Sequence, residues 1–210
     1  MSKKIQSIFL IFIVMNLVGI GVALFLECGL GADSIGLLCE GIQKATGISY
    51  GNASLVYNVI IIVIALIVAR SNLGLGTVVY ALLAGYFIDF YCYIFSPIGF
   101  IDQNMIVRFL GFATGQVFLS LALAILIQLN LGMNALDALL HKLEEKTNMS
   151  YPLMRTIVDA TYVIIGFLLG GTFGIGTIIS VSITGFMIGK WKQLLVKIQN
   201  NKNYEIHTSK

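Results

Sequence analysis

The chain is written twice. Leu30-Gly31, running on to Thr46-Gly47-Ile48-Ser49-Tyr50, recurs 101 positions later as Leu131-Gly132, running on to Thr147-Asn148-Met149-Ser150-Tyr151. Gly74-Leu75-Gly76-Thr77 returns as Gly174-Ile175-Gly176-Thr177 at an offset of 100, and Gly85 and Ile88 answer to Gly185 and Ile188. A duplication within an apolar chain predicts two structural repeats in a membrane, with any ligand site between the halves, as in many secondary transporters.

With 58% hydrophobic and 11% charged residues among 210, one soluble core cannot hide the apolar surface, so the expected solvent is a bilayer. A crossing helix needs about 20 mostly apolar residues. Six stretches qualify: about 6–27, 51–70, 76–95, 106–129, 152–170 and 176–194. The expected fold is therefore all-α, a single polytopic integral membrane domain. Repeat 1 covers about 6–95, repeat 2 about 106–194, and a polar tail 195–210. The first stretch follows Lys3 and Lys4 but exceeds the h-region of a signal peptide, and no small-x-small cleavage site follows it. It is read as a retained helix. Cys28, Cys39 and Cys92 have neither metal-ligand spacing nor an even count, which points to packing.

With six spans and the amino terminus inside, eleven basic residues fall on the cytoplasmic side and only Lys44 and Arg108 outside. That asymmetry predicts two cytoplasmic termini. Three spans per copy then force the second copy to enter from the opposite face, so the repeats are inverted. Between the first and second span of each copy lies a short amphipathic helix, 33–46 and 134–147. In the first, Ile35, Leu38, Ile42 and Ala45 form the apolar stripe; in the second, Leu136, Leu139, Leu140 and Leu143. Each either lies flat at the interface or dips inward as a half-helix. The second, more charged, is expected at the interface and the first deeper. Gly47 and Asn148 suit a helix C-terminus, Ser49 and Ser150 suit the N-cap of the next helix, and Pro152 suits a first turn.

Polar side chains inside hydrocarbon need a partner or a wet cavity, which makes them candidate binding residues. Asp159 lies eight residues past Tyr151, about 12 Å along a helix, and its repeat partner is Asn58. Asn16 and Gln116 occupy similar depths in the first helix of each copy, and Asp89 sits among Tyr86, Tyr91 and Tyr93. These five form the predicted substrate-binding set. Arg155 precedes Asp159 by four residues and is expected to pair with it, either for insertion alone or for ligand binding or gating. The patterns Gly111-x-x-x-Gly115, Gly166-x-x-x-Gly170, Gly185-x-x-x-Gly189 and Ala81-x-x-x-Gly85 predict close helix packing.

The paired Leu-Gly…Thr-Gly-Ile-Ser…Gly-Leu-Gly-Thr and Leu-Gly…Thr-Asn-Met-Ser…Gly-Ile-Gly-Thr halves resemble the YczE-like (YczE/YyaS/YitT) group of bacterial integral membrane proteins. The resemblance runs from the first helix to about Trp191. It implies the membrane fold and an Arg with an acidic partner at Arg155 and Asp159, where the group usually has Glu in the second place. Gly29-Leu30-Gly31-Ala32-Asp33 is close to the group's pattern, whereas the second copy has Asn130 for the leading Gly and Asn134 for Asp33. The group's activity is largely unassigned.

The function expected is a small-solute transporter or permease with a midplane polar site for a small-molecule or ion ligand. Six short spans leave a modest cavity, which a homodimer or a membrane partner would complete; the alternative function is a non-transporting accessory or substrate-capture subunit of a larger membrane complex. Basic residues scattered among loop ends do not make a nucleic-acid surface. There is no metal-ligating, hydrolase or phosphate-binding motif, and the two histidines, His141 and His207, lie on a polar helix face and in the tail. Neither an enzyme nor a cofactor or metal is expected. Orientation is directly testable with single cysteines in a background lacking the native three. Gln103→Cys should react with an impermeant thiol reagent on intact cells and Lys202→Cys should not; the reverse pattern would overturn the topology.

Overall fold

The computed structural model describes residues 3–70, 73–128, 135–147 and 149–208, with side chains for all of these but 3–8, 75–76, 141, 151–152 and 199–208. The second Leu-Gly, Leu131-Gly132, with Asn130 and Asn134, lies outside the described residues, as does Asn148. The described residues form eight α-helices: α1 (Lys3–Cys28), α2 (Ser34–Thr46), α3 (Tyr50–Val68), α4 (Leu75–Phe95), α5 (Met105–Gln128), α6 (Ala135–Lys146), α7 (Tyr151–Leu168) and α8 (Ile175–Thr208). Two 3₁₀ turns, Ser96–Ile98 and Phe100–Asp102, join the halves. The order long, short, long, long therefore occurs twice. Among the described residues, four segments are long and apolar enough to cross a membrane: Phe9–Cys28, Tyr50–Val68, Thr77–Ile98 and Met105–Gln128. α7 carries Arg155 and Asp159, and α8 runs on as one helix through the polar tail to Thr208.

Most of the turn signals act where the sequence places them. Gly47 ends α2 with φ 76°, its N–H donating to the Gln43 carbonyl, in the left-handed region that glycine adopts without a Cβ clash. Ser49 caps α3 by accepting from the Asn52 N–H at 3.2 Å. Ser150 makes no such bond, and Pro152 sits in the first turn of α7. At the other end of α1, Arg108 donates from Nε to the Cys28 carbonyl at 2.9 Å and from a terminal nitrogen to the Gly29 carbonyl at 3.1 Å. A guanidinium thus satisfies carbonyls that the helix end leaves unpaired, where the helix dipole also favours positive charge.

The packing order of the helices is an arc, α8–α5–α1–α4–α3–α2–α7, with α6 laid against α3. The short helices pack across the copies: α2 from the first half lies on α7 of the second, and α6 from the second on α3 of the first. Ser34 meets Asp159 at a separation of 125 residues, and Gly41 meets Gly166 at the same separation, so α2 runs parallel to α7 from its middle to its end. α6 likewise packs into the protein, with Ala135, Leu136, Ala138 and Leu140 buried and its apolar stripe against α3.

Glycines set how close these helices come. A Cβ on Gly41 would lie 2.5 Å from the Gly166 carbonyl oxygen, one on Gly21 2.9 Å from that of Gly115, and one on Gly51 2.5 Å from that of Gly85. Gly185 and Gly189, by contrast, are exposed, and a Cβ at either would meet nothing within 4 Å, so this pair sets no helix approach among the described residues of the chain. Gly41→Leu should therefore cost about 1–3 kcal/mol, the usual penalty of overpacking, read as a lower melting temperature in detergent. Gly189→Leu should leave melting unchanged or raise it, since it relieves a glycine within a helix. Equal melting of the two variants would contradict the packing assignment.

Candidate functional site

Inside the arc lies a cavity of about 490 Å³ to which all eight helices or their linkers contribute. Its charged wall is built from two helices of the second copy and one of the first. Arg155 sits one turn before Asp159 on α7, so guanidinium and carboxylate share a helix face; Nε donates to Asp159 Oδ2 at 2.9 Å. A terminal guanidinium nitrogen donates to Asp137 Oδ1 on α6 at 2.6 Å. Ser34, in the first turn of α2, donates its hydroxyl proton to the other oxygen of Asp159 at 2.5 Å. One guanidinium and one hydroxyl thereby tie both short helices to the middle of α7.

Asp33 completes the cluster. It is the N-cap of α2, it lines the cavity with Asp137, Arg155 and Asp159, and it forms no ion pair among the described residues. It lies in the linker outside the four apolar spans. The single Arg155 is shared by two carboxylates, so an ionised Asp33 leaves the cluster short of positive charge. Such a site favours a proton or a cationic ligand. Tyr50, Tyr57 and Tyr80 line the same space, and the Tyr57 and Tyr162 rings meet edge to face at 5.6 Å.

The residues singled out from sequence separate into two groups. Asp159 and Asn58 line the cavity together, Asn58 buried and donating to Ser54 Oγ at 3.2 Å. The other three lie elsewhere. Asn16 accepts from the Tyr91 hydroxyl at 2.7 Å and joins α1 to α4. Gln116 donates to Thr184 Oγ1 at 2.7 Å and joins α5 to α8. Asp89 accepts from the Gly51 N–H at 2.7 Å and pins the first turn of α3 against α4. It faces a second cleft, about 350 Å³, shared with Glu27, Glu40 and Lys44. Tyr50, itself buried, lines both the cleft and the cavity and forms the wall between them. Sequence reasoning missed Ser34 and Asp137 as members of the cluster, because their neighbour on α7 is more than a hundred residues or a whole turn-and-helix away.

The cavity is closed on one side and open on the other. Along α3 and α4 the backbones touch at Gly51 and Gly85. Along α7 and α8 no comparable packing exists among the described residues, and the rim residues Ile127, Val181, Gly185 and Lys192 are exposed. The two helices are joined by the turn at 169–174. There Glu40 of α2 accepts from the Thr172 N–H and hydroxyl at 2.9 and 2.6 Å and pairs with Lys44 at 2.7 Å.

Apolar helices packed around a partly buried charged cluster define an all-helical integral membrane protein with an internal cavity. The chain belongs to a family described as "Family of unknown function (DUF6198)", which matches residues 5–193. It is 22% identical over 187 residues to "Uncharacterized protein YyaS" of Bacillus subtilis, covering 89% of this chain and 92% of that protein. It is 22% identical to an uncharacterized protein of Haemophilus influenzae, covering 94% and 88%, and 25% identical to "Uncharacterized membrane protein YczE" of Bacillus subtilis, covering 68% and 64%. These relatives bear out the YczE-like resemblance. No solved structure matches the chain.

The charge sharing predicts unequal costs. Removing Arg155 strands two partly buried carboxylates, and breaking such a pair costs about 3–5 kcal/mol, so Arg155→Gln should lose most of the folded protein on size-exclusion chromatography. Asp159→Asn should lose less, because Arg155 keeps Asp137. The triple change Arg155→Gln, Asp137→Asn, Asp159→Asn should regain part of the yield. Equal yields from all three would contradict the network.

Proposed function

We propose that this protein is a small-solute transporter of the bacterial cytoplasmic membrane that binds a cationic or protonatable ligand in the central cavity. Six spans (α1, α3, α4, α5, α7 and the first half of α8), arranged as two inverted repeats with both termini cytoplasmic, fit the positive-inside asymmetry. In that arrangement α2 and α6 are re-entrant half-helices whose N-termini meet at mid-depth, a layout found at the binding sites of secondary transporters. The observation that carries the reading is the asymmetry of the cavity, packed shut along the α3–α4 seam and splayed along α7–α8. A conformation open to one face only is what alternating access requires. With this topology the open face is cytoplasmic, and Tyr50, held by the Gly51–Asp89 bond, closes the other.

A thermal-shift screen of the purified full-length protein against small metabolites tests this. Basic metabolites should raise the melting temperature, acidic ones should not, and Asp33→Asn should abolish the effect. A stabilising ligand indifferent to substitutions at Asp33, Asn58 and Asp159 would place the site elsewhere. Stabilisation without uptake into proteoliposomes would favour the substrate-capture role.

A further inference from the structure

The cavity has two chemically different walls. Its carboxylates and its guanidinium come from the α2 start, α6 and α7: Asp33, Asp137, Arg155 and Asp159, with Asn58 beside them on α3. Facing them, α5 contributes only Leu119, Leu123, Leu126 and Ile127, while α8 is mixed, with Val181 and Ile188 beside Ser180, Thr184 and, at the exposed rim, Lys192. A ligand polar all round would leave its hydroxyls or amides without partners against the α5 wall, which costs free energy. A hydrated inorganic ion would leave that wall in contact with water. Nor do the acids suit a bare metal ion, since no three His, Cys, Asp or Glu side chains among the described residues converge as metal ligands.

Resting on the cation-binding reading above, we propose that the ligand is an organic cation with an apolar body, its ammonium group at Asp33 and its hydrocarbon part on the α5 wall. The tyrosines on the polar side, Tyr50, Tyr57 and Tyr80, are of the type that attracts ammonium ions to ring faces. Their presence favours a substituted ammonium over a small, tightly hydrated ion. The volume sets the size. At some 490 Å³ the cavity falls within the usual range of small-molecule sites, about 300–1,000 Å³. A single aromatic ring bearing an amine fits that space, and a phospholipid does not. The exposed rim at Val181 and Gly185, on the side where α7 and α8 part, gives such a molecule a partly apolar way in.

Isothermal titration calorimetry on the full-length protein in nanodiscs separates charge from body with three probes: benzyltrimethylammonium, tetramethylammonium and benzyl alcohol. Benzyltrimethylammonium should bind at least tenfold more tightly than tetramethylammonium, and benzyl alcohol should give no measurable heat. Leu123→Ala on the α5 wall, with an elution profile matching the parent, should reduce benzyltrimethylammonium affinity severalfold and change that for tetramethylammonium far less. Asp33→Asn should weaken both cations by tenfold or more, provided its elution profile matches the parent. Equal affinity for the two cations, both lost in Asp33→Asn, would overturn the apolar-body inference and leave the cation site standing. Binding of benzyl alcohol as tight as that of its cationic analogue, or no binding of either cation, would overturn both.

Discussion

A guanidinium within a bundle of apolar helices has to be neutralised where it stands, and here it is neutralised from two directions. Arg155 holds Asp159 on its own helix and Asp137 on α6, while Asp159 in turn accepts from Ser34 on α2. The cost of an unpaired charge in such surroundings is several kcal/mol, larger than any one packing contact can offset. Those bonds therefore dictate where the two short helices start. α2 cannot withdraw to the surface without giving up the Ser34 bond, nor α6 without stranding Asp137. Because α2 belongs to the first copy and α6 and α7 to the second, the same cluster fastens the halves together.

Around this cluster the two copies have diverged in a way that shapes the cavity. In the first, Gly51 and Gly85 let α3 and α4 touch, and Asp89 accepts from the Gly51 N–H. At the matching places the second copy has Pro152, Gly185 and Gly189. Proline has no N–H to donate and glycine no carboxylate to receive it, so the bond that fastens one seam has no equivalent in the other. Gly185 and Gly189 are exposed accordingly. The asymmetry is written into the sequence, and the first seam is the better fastened of the two.

Much of the fold was legible because it rests on local signals. The apolar runs, the Gly47 and Ser49 turn and the duplicated order of elements need only periodicity and capping to be read, and the Arg155–Asp159 pair follows from helical spacing. What could not be read was which copy each short helix packs against. The exchange of α2 onto α7 and α6 onto α3 decides that Ser34 and Asp137 join the cluster while Asn16 and Gln116 tie neighbouring spans together. Depth along a helix is visible in a sequence; rotation toward the cavity depends on partners more than a hundred residues away. The glycine patterns show the same limit, since Gly166 packs and Gly185, in the same kind of motif, does not.

The claim that the cavity is a water-filled path opening beside α8 is tested most directly by thiol accessibility along that helix. Val181 and Ile178 are both exposed, but only Val181 lines the cavity. In protein lacking Cys28, Cys39 and Cys92, Val181→Cys should react with a charged, impermeant thiol reagent added to inside-out vesicles, and Ile178→Cys, facing lipid, should not. Equal reaction, or none at either position, would contradict a wet cavity open on that side.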